Sequence, residues 1–233
     1  GADLVVIAVP VRSVGPVLHD VALAMNDDTI VTDVGSTKAE VVKVAREELR
    51  ERFRRFVPGH PIAGRETSGV ESALADLFRG ARVVLTPVPE TAADALDAVR
   101  SAWESVGGRV ALADAADHDR IFAAVSHLPH ILSFALVSEI ASRENAAELL
   151  GFAAGGFRDF TRIAASSPQM WRDVALQNRA ALLAEIDRYT ARLAVFRDLI
   201  ERGEASGLER LMTEARSART AWAAPPKRSP TGE

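Results

Sequence analysis

The run Asp3–Pro10, DLVVIAVP, constrains the fold of this chain more than any other stretch. It is an unbroken apolar segment rich in β-branched residues, with no polar residue on alternate positions. A strand of that kind must be covered on both faces, as in the interior of a parallel sheet. An interior strand also needs a neighbour on each edge, yet this one opens a chain that does not begin with Met. The expectation is therefore a sheet whose earlier part is missing from these residues. Val14–Met25 carries apolar residues at helical spacing, and Thr29–Val34, TIVTDV, reads as the next strand. Together they make a βαβ unit, so the sheet is expected to be parallel.

Gly35-Ser36-Thr37-Lys38 turns into a charged amphipathic helix, Ala39–Arg54, whose Glu/Arg pairs at helical spacing fit a solvated face. Further on, the patterns predict a short helix at Val70–Phe78, a strand at Arg82–Thr86, a helix at Pro89–Val106 and a strand at Arg109–Leu112. After Asp114 strand signals stop. A helix is expected over Ala115–Ala141, bent near Pro129, which has no N–H to donate. A Gly155-Gly156 break precedes a helix over Phe157–Ala165, and Ser167-Pro168 reads as an N-cap followed by proline at the first helical position. The next helix runs toward Glu201, roughly 50 Å at about 1.5 Å per residue, and needs cover that a second subunit would supply. Gly207–Trp222 reads as one more amphipathic helix. The predicted class is α/β plus all-α, with a partial sheet domain over 1–113, a helical part over 114–222 and a polar, disordered tail over 223–233.

Composition narrows the function classes. A chain of 233 residues, 48% hydrophobic, can build a sizeable core, and a formal charge of −4 argues against nucleic acid as a partner. Without cysteine there is neither a disulfide framework nor a thiolate metal site. No apolar run is expected to span a bilayer, and no signal-peptide pattern is present, which predicts a soluble, cytoplasmic protein with no membrane partner.

The stretch Gly59–Glu71, GHPIAGRETSGVE, places a histidine, a glutamate and turn-forming residues between apolar segments. Pro61 restrains His60, and three glycines allow close approach of a ligand. This fits either a loop that holds a catalytic base or a rigid surface loop with an incidental histidine. Of the other histidines, His19 reads as a surface residue and His118-Asp119 as part of a helix start. His127 and His130, in SHLPH, share roughly one helix face. Metal is disfavoured there, because no third ligand spacing or HExxH pattern accompanies them; hydrogen bonding by one ring and packing by the other fit better. Gly155–Asp173, GGFRDFTRIAASSPQMWRD, concentrates Arg158, Arg162 and Arg172 with Asp159 and Trp171. These suit carboxylate recognition, interhelical salt bridges, or both.

DVGSTK at 33–38, GHPIAGRETSGVE at 59–71, HDRIFAAVSHLPH at 118–130 and GGFRDFTRIAASSPQMWRD at 155–173, in this order, closely resemble the prephenate dehydrogenase family of tyrosine biosynthesis, which includes arogenate dehydrogenases. The resemblance covers Asp3 to about Trp222. It implies a partial Rossmann-like domain followed by a helical dimerisation domain, a homodimer, and NAD or NADP as cofactor. It further implies oxidative decarboxylation: hydride leaves the ring carbon bearing the hydroxyl, that hydroxyl loses its proton, and carbon dioxide departs as prephenate becomes 4-hydroxyphenylpyruvate. By resemblance His60 accepts the hydroxyl proton, Ser36 bonds this histidine and the substrate hydroxyl, and Arg162 grips a carboxylate. His130 is similar to the family residue near the substrate side chain, Glu66 to an acidic gate, and Trp171 with Asp159 to elements around the site near the dimer interface. Val9, Pro10, Asp33, Gly35 and Ser36 lie where a nucleotide is expected, at carboxyl ends of strands. The family's GxGxxG turn and the position that separates NAD from NADP are not in these residues. Arogenate oxidation, or a non-catalytic dimeric remnant lacking the phosphate loop, are the alternatives.

Overall fold

The computed structural model describes residues 1–64, 71 and 73–223. It divides into two compact units, 1–185 and 186 onward, each taken by itself below.

In the first unit, β1 (Leu4–Ile7) leads through a 3-10 turn into α1 (Val14–Ala24), then β2 (Ile30–Asp33), α2 (Ala39–Leu49) and the two-residue β3 (Phe56–Val57). These strands form a parallel sheet in the order β1-β2-β3, with Val5 opposite Val31 and Thr32 opposite Val57. Pro58 then interrupts the strand, because it has no N–H for the ladder. The chain continues as β4 (Gly59–Pro61), which joins a second sheet with β5 (Arg82–Leu85) and β6 (Arg109–Leu112). Here the expectation of a wholly parallel arrangement is corrected: β5 and β6 are parallel, but β4 runs antiparallel to β5, with His60 opposite Val84. His60 is thus a strand residue beside the junction of the two sheets, not a loop residue. Gly59 is required at this seam, since a Cβ there would meet the Asp33 carbonyl oxygen at 2.9 Å and Leu85 at 3.2 Å.

Two apolar clusters hold the sheets. Ile7, Val31 and Phe56 pack with Val14 and Leu18 of α1 and Val41, Ala45 and Leu49 of α2. Val57, Val83 and Leu85 pack with Ala95, Val99 and Trp103 of α3 (Ala93–Ser105). The predicted helix over Ala39–Arg54 stops earlier, at Leu49, and Arg50–Arg55 forms a 3-10 stretch. Its arginines explain the change, because they are used as ties: Arg52 to Asp27 and the Ala22 carbonyl, Arg55 to Asp94 and the Asp28 carbonyl. Helix α3 starts at Ala93 rather than Pro89, since Thr91 Oγ1 accepts the Val88 N–H and Ala92 N–H bonds the Arg54 carbonyl. The helix predicted over Val70–Phe78 is replaced, among its described residues, by turns from 75 to 80.

α4 (Ala115–Phe122) is capped by Asp114, which accepts N–H groups of Ala116 and Asp117. A π turn, Ala123–His127, joins it to α5 (Leu128–Ala141). Leu128 N–H reaches back five residues to the Ala123 carbonyl, and Pro129 offers no donor, so the bend expected at Pro129 appears as a widened turn just before it. The expectation that no apolar stretch reaches membrane-spanning length is corrected, because the 27-residue span Ala115–Ala141 is long and apolar enough by length and composition. That span nevertheless buries His118, Asp119 and His127. α6 (Ala146–Gly151), α7 (Gly155–Thr161), which begins at the two glycines rather than after them, and α8 (Pro168–Gln177) complete the unit with the first part of α9 (Arg179–Glu201). Ser167 caps α8 as predicted, and the helix breaks at Asn178 instead of running unbroken to Glu201. In the second unit the end of α9 turns at Gly203, with φ +66°, into α10 (Ala205–Ala223), and Gly207 seats against Leu199.

Candidate active site

The turn after β2 is built around a buried charge pair. Asp33 and Lys38 are both fully buried, and Lys38 Nζ donates to Asp33 Oδ2 and to the Gly59 carbonyl at 2.6 Å. Asp33 also accepts Gly35 N–H at 2.8 Å and Gly59 N–H at 3.1 Å. This one carboxylate therefore joins the carboxyl end of β2 to the strand that carries His60. Burial pulls the Lys38 ammonium below its ordinary range, against the opposing pull of Asp33 and Asp119.

Helix α2 has no side-chain cap of its own. Its first N–H groups go to Asp119 of α4 instead: Lys38 N–H to Oδ1 at 2.8 Å and Ala39 N–H to Oδ2 at 2.9 Å. A carboxylate at a helix N-terminus satisfies otherwise unpaired donors and faces the positive end of the helix dipole. The Asp119 carbonyl in turn accepts from Asn178 Nδ2 at 2.7 Å. Thr37 Oγ1 donates to Gln177 Oε1 at 2.7 Å, so the same turn is also tied to α8.

On this frame sit four histidines. His118 Nδ1 lies 2.8 Å from Asp119 Oδ1, and His118 Nε2 lies 2.8 Å from His60 Nδ1. Phe122 packs against both rings, at 4.9 Å and 4.5 Å between centroids. The Asn178 amide also meets His127 Nδ1 at 3.0 Å. His127 Nε2, like Trp171 Nε1, is buried and makes no hydrogen bond of normal geometry among the described residues. His130 donates from Nδ1 to the Ser126 carbonyl at 2.9 Å and stacks on Trp171, with ring centroids 3.5 Å apart. The division of labour expected for SHLPH is thus more equal: both rings hydrogen-bond, and both pack against Trp171. No group of three potential metal ligands occurs among the described residues.

Burial lowers His60 to about 2, helped by the neighbouring His118, Lys38 and His127. It lowers His127 to about 4 against the pull of Asp119, and it lowers His130 against its bond to the Ser126 carbonyl. All three folded values lie below that of an unfolded histidine, about 6.5. The unfolded chain then binds more protons below that pH, so stability is complete above it and falls as the pH drops. Between pH 7.5 and pH 5, His60 and His127 should each contribute a loss on the order of 2 kcal/mol. Urea unfolding at a series of pH values measures this, and a midpoint that stays flat down to pH 5 contradicts it.

The other residues singled out in the sequence fall in different places. Val9 is half-buried, Pro10 exposed and Ser36 half-buried, at the adjacent carboxyl ends of β1 and β2. Two are apolar and the third carries a hydroxyl, at the strand ends where a nucleotide was expected. Asp33 and Gly35 belong to the same turn, and the Asp33 carboxylate and the Gly35 N–H are already used by each other and by Lys38 and Gly59. His60 Nδ1 is bonded to His118 rather than to Ser36. Arg162 is exposed at the start of the 3-10 turn Arg162–Ala165, which packs on α5, the helix of His130. Asp159 is exposed on α7, itself tied to α5 by Ser133 Oγ donating to the Phe160 carbonyl at 3.3 Å. Arg172 pairs with the buried Asp173, its neighbour on α8, as a local salt bridge, while Arg158 is exposed. Glu66 lies outside the described residues. His118, Asp119, Lys38 and Asn178 were not marked by any spacing in the sequence. The DVGSTK and HDR segments contain three of them, but nothing in their spacing marks the contacts they make.

Two family models match the chain: the prephenate dehydrogenase nucleotide-binding domain over residues 1–112 and the prephenate dehydrogenase dimerization domain over 114–214. Among curated relatives, the cyclohexadienyl dehydrogenase of Zymomonas mobilis is 38% identical over 94% of this chain and 75% of its own length. The prephenate dehydrogenase of Bacillus subtilis is 37% identical over 94% of the chain, which spans 59% of that relative. Among solved structures, the Aquifex aeolicus prephenate dehydrogenase in complex with hydroxyphenyl propionate and NAD+ superposes with a TM-score of 0.88 at 38% identity, over 94% of this chain and 76% of that one. The Synechocystis arogenate dehydrogenase gives 0.81 at 30% identity, over 95% and 80%.

Proposed function

The chain belongs to the prephenate dehydrogenase family of oxidoreductases, and on that premise we propose that it oxidises and decarboxylates prephenate to 4-hydroxyphenylpyruvate in tyrosine biosynthesis. The observation that carries this reading is the base at the seam of the two sheets: a half-buried, neutral His60 whose Nδ1 is held by His118, leaving Nε2 for a substrate hydroxyl. When bound, NAD or NADP supplies the hydride acceptor, and NAD is the first to test because the Aquifex aeolicus relative holds NAD+. Everything else is work for the side chains. His60 Nε2 takes the hydroxyl proton as the carbon–oxygen double bond forms, and Ser36 orients that hydroxyl. His130 and Trp171 wall the side-chain end of the pocket, and Arg162 takes a carboxylate through a planar two-point contact that a lysine cannot reproduce. Asp159 and Glu66 are assigned to the rim. Residues 1–113 form the nucleotide-binding part, and 114–222 the helical part through which two copies pair.

The reading is tested by following nicotinamide reduction with prephenate and with arogenate, each with NAD and NADP. Arogenate remains the second reading because a relative of 30% identity is an arogenate dehydrogenase; a higher kcat/KM on arogenate would select it. Turnover of neither substrate overturns both. Within the leading reading, Arg162→Lys should raise the KM for prephenate roughly 10- to 100-fold with little change in kcat, since it removes binding shared by ground and transition states. An unchanged KM would remove Arg162 from the carboxylate role.

A further inference from the structure

We propose that the buried Asp119–His118 pair fixes His60 as its Nδ1–H tautomer and serves as a transient store for the proton that His60 removes from substrate. The inference rests on the prephenate dehydrogenase reading for the identity of the proton donor, but its geometry is in the chain itself. Asp119 Oδ1 already accepts Lys38 N–H, and Oδ2 accepts Ala39 N–H. An ionised carboxylate can only accept, so the 2.8 Å contact with His118 Nδ1 makes that nitrogen the donor. Neutral His118 is then bare at Nε2. Facing it at 2.8 Å is His60 Nδ1, which must carry the hydrogen of that bond. The remaining nitrogen of His60, Nε2, is consequently the basic one. Two residues that never meet substrate thus decide which ring atom does the chemistry.

The same line of contacts has a direction for charge. When the substrate O–H bond breaks, a bond from hydrogen to His60 Nε2 forms. The Nδ1–H bond of His60 then breaks as an Nε2–H bond forms on His118. His60 is left neutral, now protonated at Nε2, and His118 becomes an imidazolium directly against the Asp119 carboxylate. Asp119 itself gains no proton. The product needs a proton on its phenolic oxygen once carbon dioxide has left, so the transfer reverses and no proton is consumed. Charge is poorly placed on His60, which is flanked by Lys38 and His127 and shielded by Phe122. Moving it one ring inward places it beside the only carboxylate bonded to the histidine cluster among the described residues, since Asp33 is committed to Lys38.

Nitrogen NMR of the chain with isotope-labelled histidine rings tests this without turnover. At neutral pH, His60 should be protonated at Nδ1 and bare at Nε2, and His118 likewise. On acidification the first proton should leave His118 protonated at both nitrogens while His60 switches to the Nε2–H form. A neutral His60 with hydrogen on Nε2, or a first charge that settles on His60 while His118 stays neutral, overturns the proposal. In His118→Gln the amide oxygen can still accept from His60 Nδ1, so the tautomer should persist but the switch should vanish. Its kcat for prephenate should fall roughly 10- to 100-fold with KM unchanged. His118→Leu should in addition lose the tautomer and fall further. Full turnover in His118→Gln would refute the store. If the ring states are as described and prephenate is not turned over, the functional assignment fails while the tautomer lock stands.

Discussion

His60→Asn should lose about 10²- to 10⁴-fold in kcat for prephenate while KM stays within about twofold, the signature of a group needed only in the transition state. Asparagine is close in size to the proximal half of imidazole and keeps a donor that can reach toward His118. Its amide cannot accept a proton at any accessible pH. Substrate contacts attributed to Arg162 and His130 come from the helical side and are left intact. The low proton affinity of His60 in the free protein, set by burial and by the cationic Lys38, does not weaken this expectation. A base that is already neutral throughout the physiological range is always in the form that can act, and a bound dianionic substrate raises its affinity at the moment of transfer. Steady-state kinetics on the purified variant decide the matter. Turnover within threefold of the parent would exclude His60 as the base, and a large rise in KM without loss of kcat would recast it as a binding residue.

The parts of this fold that could be read in the sequence are those with a period. Leu4–Ile7 and Ile30–Asp33 are apolar and β-branched, and the helices on either side repeat at 3.6 residues, so the βαβ unit and the change to helices after Asp114 follow from local chemistry. The seam of the sheets does not. Phe56–Val57 and Gly59–Pro61 are two and three residues long, too short for any alternation, and their opposite pairings depend on partners about 22 to 26 residues away. The site divides in the same manner. His60 stood out because of Pro61 and the surrounding glycines. His118 did not, because a His-Asp pair just after a capping aspartate looks like ordinary helix-start polarity. Its role appears only when β4 brings His60, 58 residues away in sequence, to its Nε2. Lys38 was hidden for a related reason: a lysine before a charged helix is normally solvated, and only the closure of Asp33, Gly59 and Asp119 around it makes it a core residue.

That closure makes Lys38→Met the most damaging substitution for stability. Methionine fills the space of the lysine stem without strain, so the expected loss comes from polar groups. The Asp33 carboxylate, fully buried, would keep the Gly35 and Gly59 N–H donors but lose its counter-charge, and the Gly59 carbonyl would lose its donor. Removing one partner of a buried pair costs about 3–5 kcal/mol, because the other charge remains uncompensated. Against the 5–15 kcal/mol typical of a folded domain, roughly a fifth or more of the stability would go. The double variant Lys38→Met/Asp33→Leu should recover only part of this. It removes the stranded charge, but it also strands the Gly35 and Gly59 N–H groups at about 1–3 kcal/mol each. Urea unfolding of the parent, both single variants and the double variant gives the coupling directly. A loss below 1 kcal/mol in Lys38→Met, or full recovery in the double variant, would mean that the pair does not hold the β2 turn to the strand of His60. With a loss of the expected size, kcat measured well below the unfolding midpoint should also fall, because the Gly59 carbonyl that Lys38 holds is one peptide from the base.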